Sequence, residues 1–156
     1  MAPDALLKLR AEDPDDLAVI SAVVQDALVS VRDLIYDRAA QRFTLVANRF
    51  RWESKPPNAR DGAADGSALP FERTHCALAV DTVEKVSYRG FRRSDEQRIL
   101  SLLAIRAGEK PGTIDLEFSG SATVRLAVAA IAVRLADVGE PWPTAWQPDH
   151  TADTTP

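Results

Sequence analysis

Apolar and polar residues alternate with a period of two from Thr113 to Phe118 and again from Ala122 to Val128. Ile114, Leu116 and Phe118 interleave with Thr113, Asp115 and Glu117, the mark of strands wetted on one face. Phe71 to Val80 and Val83 to Tyr88 read as further strands, and the nearly all-apolar Ile99 to Arg106 suits a central one. Upstream, Val29 to Tyr36 and Arg42 to Trp52 are rich in β-branched and aromatic residues and flank a polar turn at Asp37 to Gln41, which predicts a hairpin. Within its second strand Phe43 and Leu45 fall on one face and Val46, Phe50 and Trp52 on the other. That switch predicts a bulge near Ala47 or Asn48.

Two segments carry helical spacing. Asp13 precedes Pro14, Asp15 and Asp16, which supplies an N-cap, a proline at the first helical position and carboxylates at the positive end of the dipole. Leu17, Ile20, Ser21, Val24 and Leu28 follow as one stripe. Near the other end Val128, Ile131, Ala132 and Leu135 give a second stripe, with Gly139 as its left-handed cap. A short first strand is expected over Leu6 to Leu9, and turns at Ala107 to Gly112 and around Gly120.

These elements predict an α+β fold: a curled, largely antiparallel sheet of about six or seven strands packed by an N-terminal and a C-terminal helix. Such an order is similar to pleckstrin-homology-like barrels, in which the last helix plugs an open end, a likeness of fold alone. A single domain is expected over residues 1–142. The stretch 53–70, rich in Pro, Gly, Asp, Ala and Ser, reads as a flexible surface loop, and 143–156, with Pro143 and Pro148, as a disordered tail.

Composition narrows the class. A chain of 156 residues suits one core, and its longest apolar run, Leu126 to Val133, is far short of the roughly 20 residues that cross a bilayer. No membrane partner is expected. The first residues lack a secretory pattern, and Cys76 is the only cysteine, so a cytoplasmic location and no intrachain disulfide are expected. A net charge of -4 speaks against gripping nucleic acid through overall charge. Fifteen of the 19 basic residues are arginine, which favours bidentate contacts with carboxylates or phosphates, although a GC-rich genome gives the same bias.

The sequence holds no recognised metal-ligand spacing, nucleophile motif or phosphate loop, and implies no cofactor, no metal and no catalytic residue. Arg49, Phe50, Arg51 and Trp52 alternate guanidinium and aromatic groups along one strand, an arrangement able to clamp an anion and stack a ring, or equally to pair internally with Glu53 and Asp33. Tyr88, Arg89, Gly90, Phe91, Arg92 and Arg93 interleave basic and aromatic residues as single-stranded RNA binders do, but Arg92 and Arg93 break the RNA-recognition octapeptide. The ligand-binding candidates are therefore Arg49, Arg51, Trp52, Arg89, Phe91, Arg92 and Arg93. His75 and Cys76 are adjacent in a strand and so point to opposite faces, which leaves Cys76 as a buried small residue.

Asp16 to Ala22 with Gln25, Asp26 and Ala27, then Asn48 to Glu53, then Leu100 to Ile105, resemble an uncharacterised bacterial domain-of-unknown-function family seen mainly in alphaproteobacteria. The resemblance runs from about Leu6 to Trp142 and implies one intact domain, with no activity or site residue to carry over. The leading functional expectation is a non-catalytic binding module with an unknown protein partner, and a homo-oligomer as a further possibility. An RNA- or nucleotide-binding domain and a small enzyme with an unrecognised site are the alternatives.

Overall fold

A computed structural model of the chain describes residues 6–53 and 71–144. They form β1 Lys8–Ala11, α1 Pro14–Val23, β2 Ala27–Ser30, β3 Ile35–Asp37, β4 Arg42–Phe50, β5 Phe71–Val80, β6 Val83–Arg89, β7 Ile99–Ala107, β8 Thr113–Phe118, β9 Ala122–Val128 and β10 Val133–Thr144. The strands make one sheet in the order β1-β10-β5-β4-β2-β7-β8-β9-β6, with β3 also on β4, and every pairing is antiparallel. Residues 54–70 and 145–156, where the expected loop and most of the expected tail fall, lie outside the described residues.

The expected smaller sheet with a helix at each end is not what forms. The described residues hold one α-helix and ten strands, and the predicted C-terminal helix is β10. Val128, Ile131, Ala132 and Leu135 fit a helical stripe, but Val133, Leu135 and Asp137 also alternate with Arg134, Ala136 and Val138, and it is the alternating set that is buried. The extended form wins because Val133 to Ala136 sits between β1 and β5 and satisfies its main chain on both sides. Gly139 does take a positive φ, 81°, but within the register shift of β10 between Val138 and Trp142 rather than at a helix end. Beyond that shift only β5 pairs with β10, so Pro141 and Pro143 are tolerated in the strand. Without a terminal helix the likeness to a plugged pleckstrin-homology-like barrel loses its main feature.

α1 follows its sequence signals. The Asp13 carboxylate accepts from the Asp16 amide at 2.8 Å, and Leu17, Ile20 and Val24 are buried against β7 and β1. Ser21 accepts from the Ile105 amide at 2.9 Å and ties the helix to β7. β4 does not switch faces: its register with β5 is unbroken from Phe43 to Phe50, and Phe43, Leu45, Ala47 and Arg49 all point inward. The inward position after Ala47 is thus an arginine, while Phe50 is buried on the opposite face against Trp52, at 4.6 Å between ring centroids, and Phe71, at 5.5 Å.

The sheet curls until its inner side chains form one core cluster, from Ala11 on β1 to Val83 on β6. β2 and β3, separated by a 3-10 turn at Val31–Asp33, share one edge of β4: β2 pairs at Ala47 and Asn48, β3 at Arg42 to Thr44. Among the described strands β1, bonded only to β10, ends the sheet on one side; β7 covers the far side of β2, so β3 keeps an open edge, and β6, bonded only to β9, keeps another. The edges of β3 and β6 face each other across a seam. Its near end is closed by the Tyr36 hydroxyl, which donates to the Val83 carbonyl at 2.8 Å, and by the Val83 amide, which donates to the Gln41 carbonyl at 2.8 Å.

Candidate functional site

The sequence candidates divide between two places. On β4, Arg49 is fully buried and its guanidinium is consumed internally. Nε and Nη2 donate to the two Asp137 oxygens, both at 2.8 Å; Nη1 and Nη2 donate to Glu53 at 3.0 and 2.7 Å; and Nη1 also reaches the Phe50 carbonyl at 3.2 Å. Asp137 in turn takes the Leu7 amide at 3.3 Å. Burial opposes the charge on Arg49, but these carboxylates outweigh it and raise its pKa. Arg51 is almost buried and pairs with Glu72, and the Trp52 indole donates to the Gln25 carbonyl at 3.3 Å. This cluster binds chain segments to each other, joining Leu7, Arg49, Glu53 and Asp137 across the sequence.

The segment after β6 lies elsewhere, since β4 and β6 are not neighbours in the sheet. Arg89 is exposed on the outer face of β6, and Arg92 is exposed in the following loop. Phe91 is partly buried against the core and meets Tyr88 edge-on at 5.9 Å, while the Arg93 guanidinium stacks 4.7 Å above the Tyr88 ring. Arg89 borders an outer-face cavity of about 300 Å³ that Asp115 and Glu117 also line, and Arg93 reaches a larger one.

That cavity is the seam. It holds about 650 Å³ and is lined by Tyr36 on β3, Arg38 on the following turn, Lys85, Val86 and Tyr88 on β6, and Arg93 beyond it. The volume is within the usual range of ligand sites. Three cations face one carboxylate, that of Glu84, in a protein whose net charge is -4. Among the described residues no ion pair engages Arg38, Lys85 or Arg93, whereas Arg42 and Arg134 share Asp81, Arg125 takes Asp115 and Arg106 takes Glu117. Burial pushes the Tyr88 phenol up, with Arg93 pulling the other way, so at neutral pH the hydroxyl stays protonated. The groove therefore offers guanidinium, ammonium and phenol donors along two aromatic rings.

Sequence reasoning missed Tyr36, Arg38, Lys85 and Val86 as site residues. Tyr36 and Tyr88 lie far apart in the chain, and nothing in either strand's pattern says that two unpaired edges will meet. An unusually short β3 beside a turn was the only local sign.

Other chemistry is sparse. Burial pushes the Cys76 thiol up to about 12, and His75, on the opposite face, packs on Trp142 at 4.8 Å. Among the described residues no three His, Cys, Asp or Glu side chains gather as a metal-binding group, and no helix is long and apolar enough to cross a membrane. Residues 7–150 match a family described as "Protein of unknown function (DUF2948)". No curated protein and no solved structure matches the chain.

Proposed function

Since the chain belongs to the DUF2948 family, whose description carries no activity, we propose its role from geometry: a non-catalytic binding module that takes an anionic ligand in the seam between β3 and β6. The observation that carries this reading is the set of cations, Arg38, Lys85 and Arg93, that no ion pair engages among the described residues, around a groove walled by Tyr36 and Tyr88. Cations left without carboxylate partners beside an aromatic wall are able to hold a multiply charged anion by charge-assisted hydrogen bonds. The groove has no nucleophile paired with a base, which favours binding over turnover. The arginines of β4 are spent on internal carboxylates and support no ligand role. The nucleic-acid alternative has less behind it, because Phe91 packs toward the core and the Trp52 indole bonds to Gln25. A buried lone thiol and the absence of any disulfide are in keeping with work in a reducing, bacterial cytoplasm.

The test is calorimetric titration with an acetylated, amidated heptapeptide that alternates glutamate and threonine. Binding that weakens with salt, and falls at least about tenfold in Lys85→Glu and Arg93→Glu, is expected. No binding at low salt, or binding indifferent to both reversals, overturns the proposal.

A further inference from the structure

Resting on the groove reading above, we infer that the occupant is an acidic, extended segment of a partner protein, which adds to β6 as a further strand. The first argument is the open edge itself. In an antiparallel ladder the N–H and C=O of one residue point to the same neighbour, and successive residues point to opposite ones. The Val128 amide donates to the Gly112 carbonyl at 2.8 Å, so Val128 is turned away from β6 and Ala127, next to it, is turned toward β6. Lys85, Ser87 and Arg89, in register with Ala127, Arg125 and Thr123, therefore spend their main-chain groups on β9. Val86 and Tyr88 aim theirs into the groove, where none of the described strands meets them. Exposed edges of this kind are what extended peptides recognise, with main-chain bonds giving affinity and side-chain pockets giving selection.

Chemistry follows from the lining. Lys85 on the edge strand, Arg38 on the turn at one end and Arg93 at the other space positive charge along the path, so carboxylates at alternate positions of the segment match them. Tyr36, Val86 and Tyr88 supply the apolar floor for the residues that point inward.

The experiment compares the alternating glutamate and threonine heptapeptide with an analogue of equal charge whose main-chain nitrogens are methylated at every second residue. Strand addition predicts an affinity loss of at least about tenfold on methylation, and a similar loss in Val86→Pro, which removes a groove-facing donor and leaves the β9 ladder intact. If the methylated and unmethylated peptides bind equally, charge alone holds them: strand addition is overturned and the groove reading stands. If neither binds, the groove reading falls as well. Tighter binding of inorganic phosphate or of a single-stranded oligouridylate at the same groove, competing the peptide away, also overturns the peptide assignment. The peptide comparison is made on the unaltered protein, so it decides the matter even if Val86→Pro fails to fold.

Discussion

Arg49 shows what one residue costs and secures when a charge is placed in a core. Its side chain is wholly excluded from water, and both carboxylates of its cluster are fixed by it. Removing Asp137 leaves the Arg49 Nε buried without that acceptor and only the half-exposed Glu53 to balance the charge, so Asp137→Ala is expected to cost about 3 kcal/mol in urea unfolding. Replacing Arg49 by Met and Asp137 by Leu together should cost clearly less than the sum of the single changes, and a double-mutant cycle measures the difference. The pH dependence has a definite sign. Burial pushes the Glu53 carboxyl up, but the Arg49 hydrogen bonds and the charges of Arg49 and Arg51 outweigh it and hold it below its usual 4.5. The folded state thus binds Glu53's proton more weakly than the unfolded state does. Its stabilisation is whole above the ordinary carboxylate range and is lost as pH falls through that range toward the folded value. In Arg49→Met this part of the acid loss should disappear. The Arg49–Glu53 pair was legible as one reading of the sequence, but the Asp137 half of the cluster was not, because Asp137 is distant in the chain and the strand pattern does not say which face is inward.

At the scale of elements several strands were legible in the sequence, while the sheet they build, with ten strands and a single α-helix among the described residues, was not. Phe71–Val80, Thr113–Phe118 and Ala122–Val128 occur with the bounds that alternation predicts, and Pro14 starts α1 under an Asp13 cap. The failure at β10 is instructive, because a stretch with both spacings is decided by what lies beside it, and β1 and β5 stood waiting on either side. Turns are governed by closer contacts. Gly90 has φ +85°, and a Cβ there would strike the Ser121 carbonyl oxygen and lie 2.9 Å from the Ala122 Cα, whereas a Cβ at Gly139, φ +81°, meets nothing within 4 Å. Gly139→Ala should therefore cost only the left-handed backbone penalty of about 1–2 kcal/mol. Gly90→Ala must also displace the start of β9 and should lower the melting temperature at least twice as far, as read by thermal denaturation. Equal losses would mean that the loop yields without disturbing β9.

Over the whole molecule, the pairings that close the fold join distant parts of the chain: β1 meets β10 and β2 meets β7. A sheet so assembled opens as one unit, and Cys76 at its centre reports on that opening. With the thiol fully buried and its pKa pushed up to about 12, labelling by a disulfide reagent at mildly alkaline pH should follow global unfolding, accelerating with urea along the equilibrium curve. Rapid labelling in buffer alone would show a local path to the core. The seam could not be seen in the sequence for the same reason that it exists, since it depends on pairings between distant strands that bring β6 back beside β3. A different consequence follows from Arg49 and Arg51. Glu53 is gripped by Arg49, while Arg51 is bound to Glu72 through side chains and by its amide to the Glu72 carbonyl at 2.9 Å, so the chain is moored on both banks of residues 54–70. Because both ties are made by charged side chains, loosening either one, as in Glu53→Ala or Glu72→Ala, should unfasten the junction of β4 and β5 before the rest of the sheet, which hydrogen exchange at the Arg51 amide would register.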